Sequence, residues 1–119
     1  MTNPQKDKGD RSELEVQAIL RDQLGYPARR ALGAGRKDDC GDITGIPDTV
    51  VQVANYASLD RAVREKLPDL ERQMVNAGAS FGGLWCRRRG GKYVVVMDPA
   101  MWCALIREVL ADDEKKEAA

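Results

Sequence analysis

Three consecutive segments in the middle of the chain predict a β-strand, a helix and a second β-strand. The run Val50-Val51-Gln52-Val53 forms the centre of a β-rich segment from Thr49 to Asn55. Helical spacing follows from about Ser58 to Ala77, where Pro68 must kink the helix or start a new one. The segment from Ser80 to Arg87 predicts the next strand. Such an order favours a sheet that is covered by helices.

The flanking segments complete a fold of the α/β class. A helix is expected from about Arg11 to Leu24, with Asp10 and Glu13 at capping-box spacing. A glycine pair before the last predicted strand indicates a hairpin turn. The predicted order is α-β-β-β-α-β-β-α, a central mixed sheet flanked by helices in a single domain of residues 1–119. The remaining predicted elements are an extended segment over 27–32, strands over 42–44 and 93–97, a helix over 99–110, and flexible tails over 1–8 and 112–119.

Composition limits what the chain can be. Its hydrophobic fraction of 43% and charged fraction of 32% favour a folded core. No apolar run is long enough to span a bilayer, and the N-terminus lacks the apolar core of a secretion signal. We therefore expect a cytoplasmic protein without a membrane partner.

The chain contains no histidine, which excludes histidine-dependent serine or cysteine catalysis and histidine metal sites. Its three cysteines are an odd number without CxxC spacing, which argues against a zinc site and a disulfide scaffold. Any hydrolysis must therefore depend on carboxylates, amides, lysine and a hard cation.

Glu13 and Gln52 are polar residues on faces that are expected to be apolar. Glu13 shares its helix face with Val16 and Leu20, where a carboxylate is costly unless it is paired. The alternative is that Glu13 only completes a capping box. Gln52 interrupts a run of valines and needs polar partners if it is buried, for example a metal beside Asp42. The alternative is a half-exposed strand with Gln52 facing water.

Three segments together resemble the phage-type Holliday junction resolvases of the PD-(D/E)xK nuclease superfamily. They are the helix start from Gly9 to Glu13, the glycine-basic-acidic loop from Gly33 to Ile43, and the strand from Val50 to Asn55. The resemblance spans most of the chain, from about Lys8 to Asp98. It implies a restriction-endonuclease-like core, a twofold homodimer and, for a phage-encoded protein, the host cytoplasm.

The resemblance also implies a site that binds magnesium, or manganese in its place. Glu13 falls on the family's helix glutamate, Asp42 on the metal-bridging aspartate, and Gln52 on the second acid, which is glutamine in some branches. The family's lysine falls on Ala54, which cannot polarise a phosphate. Either activity is lost, or the lysine comes from elsewhere, a shift that is common in this superfamily.

Lys66 is the first candidate for the displaced lysine. It falls between Ala62 and Leu70 on the helix stripe that is expected to face the sheet, where an ammonium needs an anionic partner. The alternative is a lysine that extends to solvent. Lys37, in the loop that leads to Asp42, is the second candidate.

Basic residues form two clusters although the net charge is zero. Such runs are usually solvated surface, but loops that bind DNA phosphates have the same composition. The expected DNA contacts are Arg29, Arg30, Arg36, Lys37, Arg87, Arg88 and Arg89.

The leading hypothesis is a structure-selective endonuclease that hydrolyses phosphodiesters in branched DNA, such as four-way junctions, during recombination or repair. The second is a catalytically inactive protein of the same fold that binds branched DNA, which Ala54 favours. The third is a nuclease of ordinary duplex DNA.

Overall fold

The structure is a computed structural model that describes residues 3–31 and 39–118. It is an α/β fold with three helices and a five-stranded mixed sheet, and it confirms the predicted order of elements. The elements are α1 (Pro4–Leu24), β1 (Arg29–Arg30), β2 (Ile43–Thr44), β3 (Thr49–Ala54), α2 (Leu59–Ala77), β4 (Phe81–Arg88), β5 (Lys92–Val96) and α3 (Pro99–Ala118).

The strands lie in the sheet in the order β1-β2-β3-β4-β5. Only β3 and β4 are parallel, because α2 connects them and returns the chain to the same end of the sheet. The other neighbouring pairs are antiparallel. Gln52 lies opposite Leu84 and Ala54 lies opposite Cys86. β3 is therefore an interior strand with a partner on each side.

Helix α1 begins at Pro4 rather than near Arg11, so the predicted capping box at Asp10 and Glu13 is wrong. The side chain of Asn3 accepts a hydrogen bond from the backbone N–H of Lys6 (3.3 Å), which makes Asn3 the N-cap. Proline is favoured at the next position because it has no N–H to satisfy. The helix thus includes Pro4–Lys8, and α3 likewise continues over 112–118, both expected to be tails.

Local signals account for the bounds of α2. The hydroxyl of Ser58 accepts a hydrogen bond from the N–H of Arg61 (3.2 Å) and caps the first turn. Gly78 ends the helix in the left-handed conformation (φ 62°), which glycine adopts without steric cost. The helix is continuous through Pro68 and does not restart there.

Two buried clusters lie on opposite faces of the sheet. The α1 face contains Val51 and Val53, whereas the α2 face contains Val50 and Ala54, as the predicted alternation of β3 requires. Side chains of α1, β2 and β4 complete these clusters. The sheet with a helix on each face therefore holds the core, and α3 contributes no buried residue to it.

Candidate functional site

Asp42 is held against β3 by two hydrogen bonds that lie on either side of Gln52. Its backbone N–H donates to the carbonyl of Val51 (2.8 Å), and its Oδ2 accepts from the N–H of Val53 (2.8 Å). Gly41 makes this approach possible: its φ is 103°, and a Cβ there would lie 2.8 Å from a side-chain atom of Val50. The glycine thus delivers the carboxylate to the middle of the sheet.

The surroundings of Asp42 disfavour its charge. Burial raises the pKa of Asp42 to about 6, although the hydrogen bond from the Val53 N–H acts in the opposite direction. The charges of Glu13 and Asp39 raise this pKa further, and the ammonium of Lys66 lowers it. Glu13, Asp42 and Lys66 therefore interact electrostatically and together form the Asp42 cluster.

Gln52 is buried on β3, with 5% of its surface exposed. The alternative of a half-exposed strand with Gln52 facing water is therefore wrong, because β2 and β4 flank β3 and α2 covers this face. Its Oε1 has no hydrogen-bond partner among the residues that the structure describes. A buried, unsatisfied amide oxygen costs stability, so this oxygen is available for a ligand.

Glu13 is partly buried and already has a partner. Its Oε2 accepts a hydrogen bond from Nε of Arg30 (2.9 Å), and Arg30 also contacts the carboxylate of Asp10. Arg30 therefore holds the two acids of α1 in place, and its phosphate contact stays a prediction. No sequence signal links Arg30 to these acids, because the pairing depends on how β1 lies along α1.

Lys66 lies on the sheet-facing stripe of α2, as predicted, and about 30% of its side chain is exposed. Its nitrogen is 3.6 Å from Oδ2 of Asp69, and it acts on Asp42 electrostatically rather than through a direct ion pair. Ala54 belongs to one buried cluster with Ala62 of α2. At the position of the family's lysine, the strand thus carries a small side chain packed under the helix.

Asp39 and Gln73 are site residues that were not predicted. Nε2 of the buried Gln73 donates to Oδ2 of Asp39 (2.9 Å), and the N–H of Gly41 donates to its Oδ1 (3.1 Å). Asn76 adds a hydrogen bond to the Asp39 carbonyl (3.0 Å). These contacts fasten the segment before Asp42 to α2. The sequence signal that could have indicated this contact was Gln73, an amide on the sheet-facing stripe of α2.

The predicted DNA-contacting residues differ in their availability. Arg87 donates to Glu15 (2.7 Å), which also accepts from the hydroxyl of Tyr93 (2.9 Å). Arg87 is therefore already paired with an acid of α1. Arg88 and Arg89 are exposed, as is Arg29. Two expected contacts, Arg36 and Lys37, lie outside the described residues. Lys37 was also the second candidate for the displaced lysine, and that prediction falls outside them too.

An open cleft of about 620 Å³ is lined in part by Ala62, one helical turn before Lys66, although none of Glu13, Asp42, Gln52 and Lys66 lines it. It lies at the carboxyl ends of β3 and β4. Asn55 and Tyr56 follow β3, and Arg88 and Arg89 lie beyond the part of β4 that pairs with β3. Burial raises the pKa of Tyr56, and the charge of Lys66 acts in the opposite direction. The same charge also lowers the pKa of Asp42. Lys66 therefore acts electrostatically on a residue of the cleft and on Asp42.

The donor atoms near Asp42 suit a hard cation in kind but are few. Among residues 3–31 and 39–118, no group of three or more His, Cys, Asp or Glu side chains is arranged to hold a metal ion. Magnesium, however, is often bound by one or two carboxylates with water and substrate phosphates as the other ligands. The Asp42 carboxylate and the unpartnered Gln52 Oε1 fit that requirement.

Two general findings bear on what the chain is. Across the part of the chain that the structure describes, no helix is both long and apolar enough to cross a membrane. Comparison with protein families, with curated proteins and with solved structures gives no match. Function must therefore be inferred from the chemistry of this cluster and its cleft.

Proposed function

We propose that this protein is a metal-dependent DNA endonuclease of the PD-(D/E)xK type that acts on branched DNA. The observation that carries the proposal is the partly buried carboxylate of Asp42, which is hydrogen-bonded to β3 next to Gln52, a residue whose amide oxygen has no partner among the described residues. The charges of Glu13 and Lys66 act on Asp42, and basic residues line a cleft that reaches Ala62, one turn before Lys66 on α2. A restriction-endonuclease-like core is compatible with the mixed sheet and its two flanking helices.

In this proposal Asp42 and Gln52 hold a magnesium or manganese ion, and Glu13 completes the site. When bound, the cation supplies Lewis-acid chemistry, which lowers the pKa of water and offsets charge on the phosphate. The residues fit because a raised pKa indicates a carboxylate that lacks solvation and cationic partners. Arg30 holds Glu13 at the edge of the cluster.

Lys66 has the role of the family's lysine in this proposal. Its ammonium stabilises the charge that develops on the phosphate oxygens and so favours the transition state. Lys66 shares the carboxylate of Asp69 with Arg72, whose guanidinium lies 2.9 Å from the other oxygen of that carboxylate. Lys66 is therefore held only loosely by Asp69 and is free to turn towards a bound phosphate.

A nuclease that makes paired cuts in a junction works as a twofold homodimer, and α3 offers a surface for one. Trp102, Ile106, Val109 and Leu110 are exposed on this helix, Trp102 by 56%. A second copy that runs antiparallel brings Trp102 opposite Leu110 and Ile106 opposite itself, as a twofold axis requires. Side chains of this size each present on the order of 100 Å² when half exposed. Eight of them with their polar rims approach the ~1,000 Å² of a specific interface.

A second candidate function is an inactive protein that binds branched DNA. It is favoured by the buried Ala54 at the family's lysine position and by the pairing of Glu13 with Arg30. The basic residues of the cleft serve this function equally well.

The test is cleavage of an end-labelled four-way junction with magnesium, with manganese and with EDTA. Cleavage that needs the metal, is lost in Asp42→Asn and is not suppressed by excess linear duplex supports the proposal. Junction binding without cleavage under all conditions supports the inactive binder. Equal cleavage of the linear duplex would instead indicate an ordinary duplex nuclease.

A further inference from the structure

The cleft at the carboxyl ends of β3 and β4 is formed by an overhang of one strand beyond the other. The parallel register ends with Ala54 opposite Cys86, and β4 continues to Arg88 before the chain turns into β5. Beyond Ala54 the chain leaves the sheet and reaches α2 through Asn55 and Tyr56. Ligands in α/β proteins commonly bind outside the carboxyl ends of strands, where such crevices form.

Helix α1 contributes Lys8 to the lining of the cleft. Nδ2 of Asn55 donates to the hydroxyl of Ser12 (2.6 Å) and to the carbonyl of Lys8 (3.3 Å). Ser12 is fully buried, so this contact holds the first turns of α1 against the end of β3. It also sets the position of Lys8 at the mouth of the cleft. A hydrogen bond between α1 and the end of β3 therefore fixes this side of the cleft.

All the charged residues that line the cleft are basic. Lys8, Arg87, Arg88 and Arg89 line it, and no aspartate or glutamate does. Arg87 is neutralised by Glu15, but no ion pair joins Lys8, Arg88 or Arg89 to an acid within residues 3–31 and 39–118. Three unpaired cations around one concave space attract phosphate groups.

We propose that this cleft binds the phosphates of an unpaired DNA strand and leads that strand to the Asp42 cluster. A volume of about 620 Å³ suits a small ligand, so it admits one or two nucleotides and not a duplex. Ala62, which lines the cleft, lies one turn before Lys66 on α2. Asn55, which also lines it, lies two residues after Val53, whose N–H donates to Asp42, so the end of the cleft lies near the cluster. The inference rests on the proposed function and adds the substrate class: strands that are unpaired or splayed at a branch.

The experiment measures fluorescence anisotropy of labelled single-stranded and duplex oligonucleotides of equal length with the full chain in EDTA. The double variant Arg88→Ala/Arg89→Ala should weaken single-strand binding about tenfold or more and reduce the salt slope by about 1.4, near 0.7 per phosphate contact. Arg72→Ala/Arg107→Ala removes the same charge from two exposed arginines on α2 and α3 and should have little effect. A third variant, Ala57→Trp, fills the cleft without changing its charge and should also weaken single-strand binding.

Each remaining outcome would overturn the inference. Equal loss in the two arginine double variants would mean that only overall charge matters. Unchanged binding in Ala57→Trp, or equal affinity for duplex, would mean that the strand does not enter the cleft. Inorganic phosphate or a mononucleotide binding as tightly as the oligonucleotide would assign the cleft to a free phosphorylated ligand. The assay contains no metal, so loss of this binding is distinct from a failure to cleave junctions.

Discussion

Replacing Asp42 with asparagine should make the protein more stable at neutral and alkaline pH and have little effect near pH 4. Burial raises the pKa of Asp42 from 3.8 to about 6. In that interval the folded state retains a proton that the unfolded chain releases, so the free energy of unfolding falls as the pH rises. Each unit of pKa difference corresponds to about 1.4 kcal/mol, so the full destabilisation above pH 6 is about 3 kcal/mol. Asparagine removes this cost and can still accept the hydrogen bond from the Val53 N–H.

The measurement is urea unfolding of both proteins in EDTA at several pH values from 4 to 8. The difference in the free energy of unfolding should grow through this range to about 3 kcal/mol in favour of Asp42→Asn. Asp22→Asn changes an exposed carboxylate of α1 and should give a difference that is small at every pH. A difference for Asp42→Asn that does not vary with pH would refute the reasoning.

Magnesium should reduce this difference at pH 8. A ligand that binds the folded state stabilises it by mass action, and the wild type retains the carboxylate that a cation needs. Asp42→Asn should gain less or nothing from the metal. Equal stabilisation of both proteins would mean that magnesium does not bind through the Asp42 carboxylate, even if the pH effect is as expected.

Two further predictions concern Lys66 and α3. Lys66→Ala should slow junction cleavage by ~10²–10³-fold, by analogy with oxyanion donors, and cost less than about 1 kcal/mol in urea unfolding, because a half-exposed ion pair contributes little. Arg64→Ala removes an exposed cation of α2 that pairs with Asp60 and not with Asp69, and it should cleave normally; equal rates in the two variants would exclude a role for Lys66 in catalysis. Ile106→Glu should convert a dimer to monomer in light scattering after gel filtration, whereas Leu14→Glu, an exposed apolar residue of α1, should not. A wild type that is monomeric at high concentration contradicts this use of α3.

The sequence by itself determined the order of the elements and the polarity of each face. Periodicity is a local property, so the alternation of β3 and the sheet-facing stripe of α2 followed from spacing alone. The same spacing predicted that the side chain of Gln52 points to the other face of the sheet from those of Val51 and Val53. It also predicted that Lys66 lies between Ala62 and Leu70 on one side of α2.

Helix ends were predicted less well where two signals competed. Asp10 and Glu13 have capping spacing, but Asn3 followed by Pro4 caps α1 earlier. A capping motif acts only if the chain before it is not already helical. Asp10 and Glu13 instead pair with Arg30 from a strand that follows much later in the sequence.

Only the tertiary structure decided which charges meet. The pairs Arg30–Glu13, Arg87–Glu15 and Gln73–Asp39 join residues far apart in the chain, and side-chain spacing carries no information about such contacts. The same holds for the pKa of Asp42, which depends on burial and on neighbours from two helices. The cleft also required the structure, because it results from the register of β3 against β4 and not from any residue type within either strand.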